Sequence, residues 1–212
     1  MPTSKLSQPA LVLSLAEVLR RPVLVVACAV FVTCMVFGKS TWVSGGFQHE
    51  TIEWFGIVLI FTCVFGRTWC ALYIGGKKQS GIIAIGPYSI CRNPLYVFSM
   101  MGAAGLGAQL GSISMAVATG VFVWAVFYVV VLNEEKALLT IHGAAYRDYC
   151  ARVPRYLPRP SLWSGPDMLE IQVAKVTRTF LDACVFLLAI PLAEIFEQLQ
   201  DMGWIPVLFR LP

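Results

Sequence analysis

Charge is absent from two long stretches of this sequence, Pro22 to Gly38 and Asn93 to Asn133, and the second runs for 41 residues. A helix rising ~1.5 Å per residue crosses the ~30 Å hydrocarbon layer in about 20 residues, so the longer stretch holds two spans in succession. Polar punctuation sets the boundaries. Residues 22–38, 52–74, 94–110 and 113–132 read as spans one to four, and Gln109-Leu110-Gly111-Ser112 turns the hairpin between the last two. A fifth apolar stretch, 180–196, is weaker because Asp182 and Glu194 bracket only 11 uncharged residues; it either spans or lies along the interface. The pattern predicts an all-α fold, a polytopic bundle of about five transmembrane helices forming a single membrane domain.

Within span three, Ala103, Gly107 and Gly111 recur every fourth position, which predicts a small-residue face for close helix packing. The run from Gly105 to Gly111 also looks like a distorted dinucleotide fingerprint, but it sits inside an apolar run with no strand before it.

Composition supports the membrane reading: 58% of residues are hydrophobic, 13% are charged, and mean hydropathy is positive. With a cytoplasmic N-terminus and five spans, 14 of the 16 basic residues fall on the inside and only Lys39 and Arg210 on the outside. The expectation is a multi-pass inner-membrane protein with the loops at 75–93 and 134–158 both cytoplasmic. The net charge of +4 is what such loops carry beside anionic lipid, so no nucleic-acid partner is expected. Lys5, Arg20 and Arg21 precede the first apolar run, and Val25-Val26-Ala27-Cys28 resembles a lipoprotein processing site. The apolar stretch between Arg21 and Cys28 is too short for a signal peptide, so a retained helix is expected. Seven scattered cysteines without a C-x-x-C pair, together with only two histidines, argue against a zinc or disulfide framework, and no metal is expected.

Polar groups concentrate in two segments, Gly75 to Tyr96 and Asn133 to Pro158, which flank spans three and four; a hairpin between those spans brings both segments to one membrane face. In the first segment Gly86-Pro87 supplies a tight turn and Pro94 suits the first turn of a helix. Arg92 then stands at the mouth of span three, where its planar fork can clasp a carboxylate or phosphate, or snorkel to lipid. In the second segment Glu135, Leu139, His142, Tyr146, Tyr149 and Arg152 share one face of a continuous helix, and Gly143 is the place for it to break. The alternative is an amphipathic surface helix with a solvated charged face. Arg67, ~10 Å inside the end of span two, either faces the bundle, toward a substrate headgroup or an acidic partner such as Glu134, or snorkels to the interface.

These segments resemble the isoprenylcysteine carboxyl methyltransferase and phospholipid methyltransferase superfamily of membrane enzymes. The matching residues are Gly86-Pro87-Tyr88, Arg92-Asn93-Pro94-Leu95-Tyr96, Glu134-Glu135-Lys136-Ala137-Leu138, the spaced Gly143, Tyr146 and Tyr149, and Arg152-Val153-Pro154, over roughly residues 52 to 158. The resemblance implies S-adenosylmethionine as cofactor, held near the cytoplasmic surface, and a lipid-soluble substrate arriving laterally from the membrane lipid. It implies a cofactor site lined by Tyr88, Arg92, Asn93, Pro94, Tyr96, Glu134, Glu135, Tyr146 and Tyr149, with Arg92, Arg152, Glu134 and Glu135 at the reaction and Arg67 and Arg152 toward the substrate. Asn93 stands where the family carries histidine, so this position can hydrogen-bond but cannot act as a base. A prenylated cysteine carboxylate, a phospholipid amine and a hydrophobic thiol all remain open as acceptors. So do two other readings, a nicotinamide-dependent membrane reductase of the sterol type, which Tyr146 to Pro158 also resembles, and a non-enzymatic membrane assembly or transport protein. Residues 159–212 form a C-terminal extension that the resemblance leaves unassigned, open to dimerisation into a homo-oligomer or to shaping the substrate entrance.

Overall fold

The computed structural model describes residues 25, 26, 28–74 and 81–212. These form α1 (Cys28–Phe37), β1 (Gly38–Ser40), α2 (Phe47–Ile74), α3 (Pro87–Ile90), α4 (Pro94–Ala108), α5 (Ile113–His142), α6 (Ala144–Arg152), α7 (Val173–Cys184), α8 (Ala189–Asp201) and β2 (Phe209–Leu211). Single 3-10 turns lie at Pro160–Leu162 and at Val185–Leu188, the second joining α7 to α8 in one rod, Val173–Asp201. Among the described residues, three helices are long and apolar enough to cross a bilayer: α2 with 28 residues, α5 with 30 and the α7–α8 rod with 29. Helices α1 and α4 are apolar but shorter. The chain is therefore a helical membrane bundle, as expected, with shifted boundaries. The second span starts at Phe47, the fourth continues unbroken to His142, and the weak fifth stretch is the middle of a rod that Asp182 and Glu194 do not interrupt. The start of the first span, its retained-helix reading, and Lys5, Arg20, Arg21, Lys77 and Lys78 lie outside the described residues.

Helix α5 shows why this surface needs lipid. Val131 is its single buried residue, while Val117, Val121 and Val129 are 59%, 56% and 49% exposed. A continuous apolar face of that extent is stable against hydrocarbon and unstable against water.

The centre of the bundle is the α2–α4 contact, where the backbones meet through glycine. A Cβ on Gly105 would stand 2.7 Å from the carbonyl oxygen of Gly56, and one on Gly107 would stand 2.3 Å from the carbonyl oxygen of Met115 on α5. With little hydrophobic drive between helices in lipid, such close approach lets dispersion hold them together. The face expected from Ala103, Gly107 and Gly111 is only partly realised. Ala103 is buried and Gly107 meets α5, but α4 ends at Ala108 and its four-residue period ends with it. Gly111 turns the chain at φ +59° directly against the His49 ring.

The C-terminal extension belongs to the same bundle. Helix α7 packs on α2, and β2 pairs in parallel with β1 in the register Lys39 to Arg210. Gln200 donates through Nε2 to the carbonyls of Val36 and Gly38, at 2.9 and 3.0 Å. The hydroxyls of Ser112 and Ser114 donate to the Pro212 carbonyl at 2.6 and 2.7 Å. Ser112 also accepts from the Met115 amide, which makes it the N-cap of α5.

Candidate functional site

At the opposite end of α4, a backbone ladder stitches the two motif segments together. The Arg92 amide donates to the Pro154 carbonyl, Arg159 to Ile90 and Gly86 to Ser164, at 2.9, 2.9 and 2.7 Å. Gly86 makes the first turn possible: its φ is +58°, and a Cβ there would stand 2.2 Å from the Tyr73 ring. Cys91 adds a side-chain tie, its buried thiol facing the carbonyls of Arg155 and Tyr156 at 3.4 and 3.3 Å. Burial pushes its pKa up, so it stays a protonated strut and not a nucleophile.

On that frame stands a charged cluster centred on Glu135. Arg155 engages it with two donors, Nε to Oε1 at 3.1 Å and Nη2 to Oε2 at 2.6 Å. Arg92 Nη1 lies 3.4 Å from Oε1, and both side chains are 12% exposed. Asn93 Nδ2 reaches Oε1 at 3.5 Å and the Arg155 carbonyl at 3.3 Å. Two guanidinium groups and an amide thus meet this enclosed carboxylate with charge-assisted hydrogen bonds. Donating these hydrogen bonds to Glu135 in turn holds the Arg155 pKa above the ordinary arginine value.

Glu134, one residue earlier, is exposed and accepts from the Tyr96 hydroxyl at 2.6 Å. The Tyr96 ring packs against Phe127 with centroids 4.9 Å apart, which fixes the phenol at the start of α4. Pro94 is buried in the first turn of α4, where its missing N–H costs nothing. Two polar atoms at the cluster, Arg92 Nε and the Tyr156 hydroxyl, are buried without a hydrogen-bond partner among the described residues.

Other residues singled out in the sequence take supporting positions. Gly143, at φ +54°, splits the continuous face expected from Glu135 to Arg152, so α6 leaves α5 at an angle. Tyr146 and Tyr149 then turn inward and form a small core with Val153, Ile82 and Ala84. The Tyr149 hydroxyl donates to the Tyr88 carbonyl at 2.7 Å and so fixes the turn after Gly86. Burial pushes the pKa of Tyr88, Tyr146 and Tyr149 up, and all three remain neutral phenols. Arg152 is exposed on α6; its Nε lies 3.4 Å from the Asp148 carbonyl, and it does not join Arg92. Three residues on, beyond the bend at Pro154, it is Arg155 that meets Glu135. Arg67 faces the bundle: its Nη1 donates to the Ser99 hydroxyl of α4, and among the described residues it does not pair with Glu134. Arg155 was missed because both arginines flank Val153-Pro154 and only the direction of the chain after the helix separates them.

Fold and cluster together define a class, a helical membrane protein with a polar site built where the chain enters α4 and leaves α5. The chain belongs to the phospholipid methyltransferase family, which matches residues 23–145. It is 32% identical over 191 residues to the nickel-cobalt-cadmium resistance protein NccN of Alcaligenes xylosoxydans xylosoxydans, covering 88% of this chain and 87% of that one. It is likewise 32% identical over 169 residues to the cobalt-zinc-cadmium resistance protein CzcN of Cupriavidus metallidurans, covering 80% and 77%. A more distant likeness, 29% over 121 residues and covering 52% of this chain and 61% of the relative, is to protein-S-isoprenylcysteine O-methyltransferase B of Arabidopsis thaliana. No solved structure matches the chain.

Proposed function

We propose that this protein transfers a methyl group from S-adenosylmethionine to a lipophilic acceptor at the cytoplasmic membrane face. The observation that carries the reading is the Glu135 cluster, in which Arg92 and Asn93, at family motif positions, converge with Arg155 beside the Tyr96–Glu134 pair. The donor set suits the cofactor. Glu134 offers an accessible anion for an ammonium or sulfonium, and Arg92 Nε and the Tyr156 hydroxyl are donors that a carboxylate can use. When bound, S-adenosylmethionine supplies an electrophilic methyl on a positively charged sulfur.

The residues then have mainly to align acceptor and methyl and to exclude water, a contribution of about 7 to 11 kcal/mol where alignment is complete. Asn93 cannot take a proton, and the cluster contains no histidine, so an acceptor that is already an anion, a carboxylate or thiolate, fits best. The resistance proteins among the relatives add a context: methylation of a membrane component by this enzyme contributes to tolerance of divalent transition metals. The test is to incubate purified protein with methyl-labelled S-adenosylmethionine and whole lipid extract and to identify the labelled product. Binding of a reduced nicotinamide nucleotide, or of neither cofactor, would overturn the reading.

A further inference from the structure

At the end of the bundle remote from Glu135, three ligating side chains from two elements converge. His49 lies in the first turn of α2, Glu53 one turn later, and Glu197 on α8. One ligand atom from each lies within 4.8 Å of one from each of the others. His49 is almost fully enclosed, its side chain 4% exposed, and its ring nitrogens lie near both carboxylates, Nδ1 3.6 Å from Glu53 Oε2 and Nε2 3.5 Å from Glu197 Oε1. His49 Nδ1 and Glu197 Oε1 are both buried with no hydrogen-bond partner among the described residues.

These distances distinguish two arrangements. A charge-assisted N–H···O bond closes to about 2.7–2.9 Å, and neither contact does so. Two ligands bound to one ion at about 2.1 Å with tetrahedral angles stand about 3.4 Å apart, which is the separation of Nε2 and Glu197 Oε1. A cavity of about 20 Å3 adjoins His49, Glu197, Gln109 and Gln200, room for one water-sized occupant. Lys39 also lines it, but its ammonium is paired with Asp201. Gly111, with no side chain, lets the α4–α5 turn close over the imidazole.

We infer that His49, Glu53 and Glu197 bind a divalent transition-metal cation at this end of the bundle. One imidazole nitrogen and two carboxylates form an N/O donor set suited to Zn2+ or Co2+, and two negative charges balance a dication. The sequence alone pointed to no metal, because its cysteines and histidines have no ligand spacing and this set joins a helix to a partner almost 150 residues away. The site is separate from the Glu135 cluster: α4 lies between them, and its 15 residues extend ~22 Å. Bound metal would clamp α2 to α8 and stabilise the bundle.

The test uses untagged full-length protein in detergent. Co2+ is titrated while the visible ligand-field absorption is read, and Zn2+ is tested for uptake after desalting and for a rise in thermal midpoint. About one ion per chain is expected, with affinity at least tenfold weaker in both His49→Ala and Glu197→Gln and the Zn2+-induced stabilisation lost. Glu197→Gln keeps the shape of the side chain, so it carries the test if His49→Ala does not fold. Absence of saturable uptake would overturn the site. Uptake unchanged in Glu197→Gln would also overturn it and assign the metal to cysteine thiols.

Discussion

Two adjacent carboxylates at the end of α5 are given different work by their surroundings. Glu135 is enclosed and carries Arg155, Arg92 and Asn93, whereas Glu134 is exposed and accepts from the Tyr96 phenol. Glu135→Gln removes the charge from a charge-assisted network, and we expect it to cost about 1.5 to 3 kcal/mol of stability and most of the turnover. Glu134→Gln should leave the thermal midpoint near wild type while weakening S-adenosylmethionine binding; thermal unfolding and calorimetry on the same preparations separate the two. Arginine identity matters at 155 because two nitrogens are used at once. Arg155→Lys should therefore lower methyl transfer at least tenfold, about 1.4 kcal/mol of transition-state stabilisation, and nearly as much as Arg155→Ala. Arg152→Ala, at an exposed position, should leave the initial rate close to wild type.

Elements act here through where they stop. Helix α4 begins at Pro94 and ends at Ala108, and α5 ends at His142 because Gly143 adopts a backbone that other residues resist. That break turns Tyr146 and Tyr149 of α6 into the core that carries Tyr88 and the turn before α4. The buried phenols make this junction sensitive to alkali. Their folded pKa values lie above the ordinary value of 10, so above that pH the unfolded chain releases protons that the folded chain retains. Stability is fully present below pH 10 and falls as pH rises beyond it. Denaturant melts on either side of pH 10 should show this loss, and Tyr149→Phe should flatten it while costing about 0.5 to 1.5 kcal/mol for the hydrogen bond to Tyr88.

At the scale of the whole molecule the bundle has two unlike ends. One carries the arginine–glutamate cluster; the other carries His49, Glu53 and Glu197 with Lys39 and Arg210 on neighbouring strands. The charge distribution predicts that the first end faces the cytoplasm: on a cysteine-free background Asp148→Cys should then label only from the cytoplasmic side and Glu50→Cys only from the outside of intact cells. Labelling of Asp148→Cys from outside would invert the topology.

The sequence by itself determined the membrane class, the helical content and the two segments that the fold brings together at the candidate site. Those properties follow from local quantities, the length of uncharged runs and the residues in short motifs, which the chain displays without folding. It also determined Arg92, Asn93, Tyr96, Glu134 and Glu135 as neighbours, because a hairpin of two apolar helices returns its ends to one membrane face. Tertiary structure decided which arginine meets Glu135, since the bend at Pro154 aims Arg155 inward and leaves Arg152 on the surface. It decided that Arg67 faces Ser99, and that residues 173–212 complete the bundle through α2 and β1. It alone brought Glu197 to His49, because a contact between residues so far apart along the chain is set by helix packing and leaves no periodic trace in the sequence.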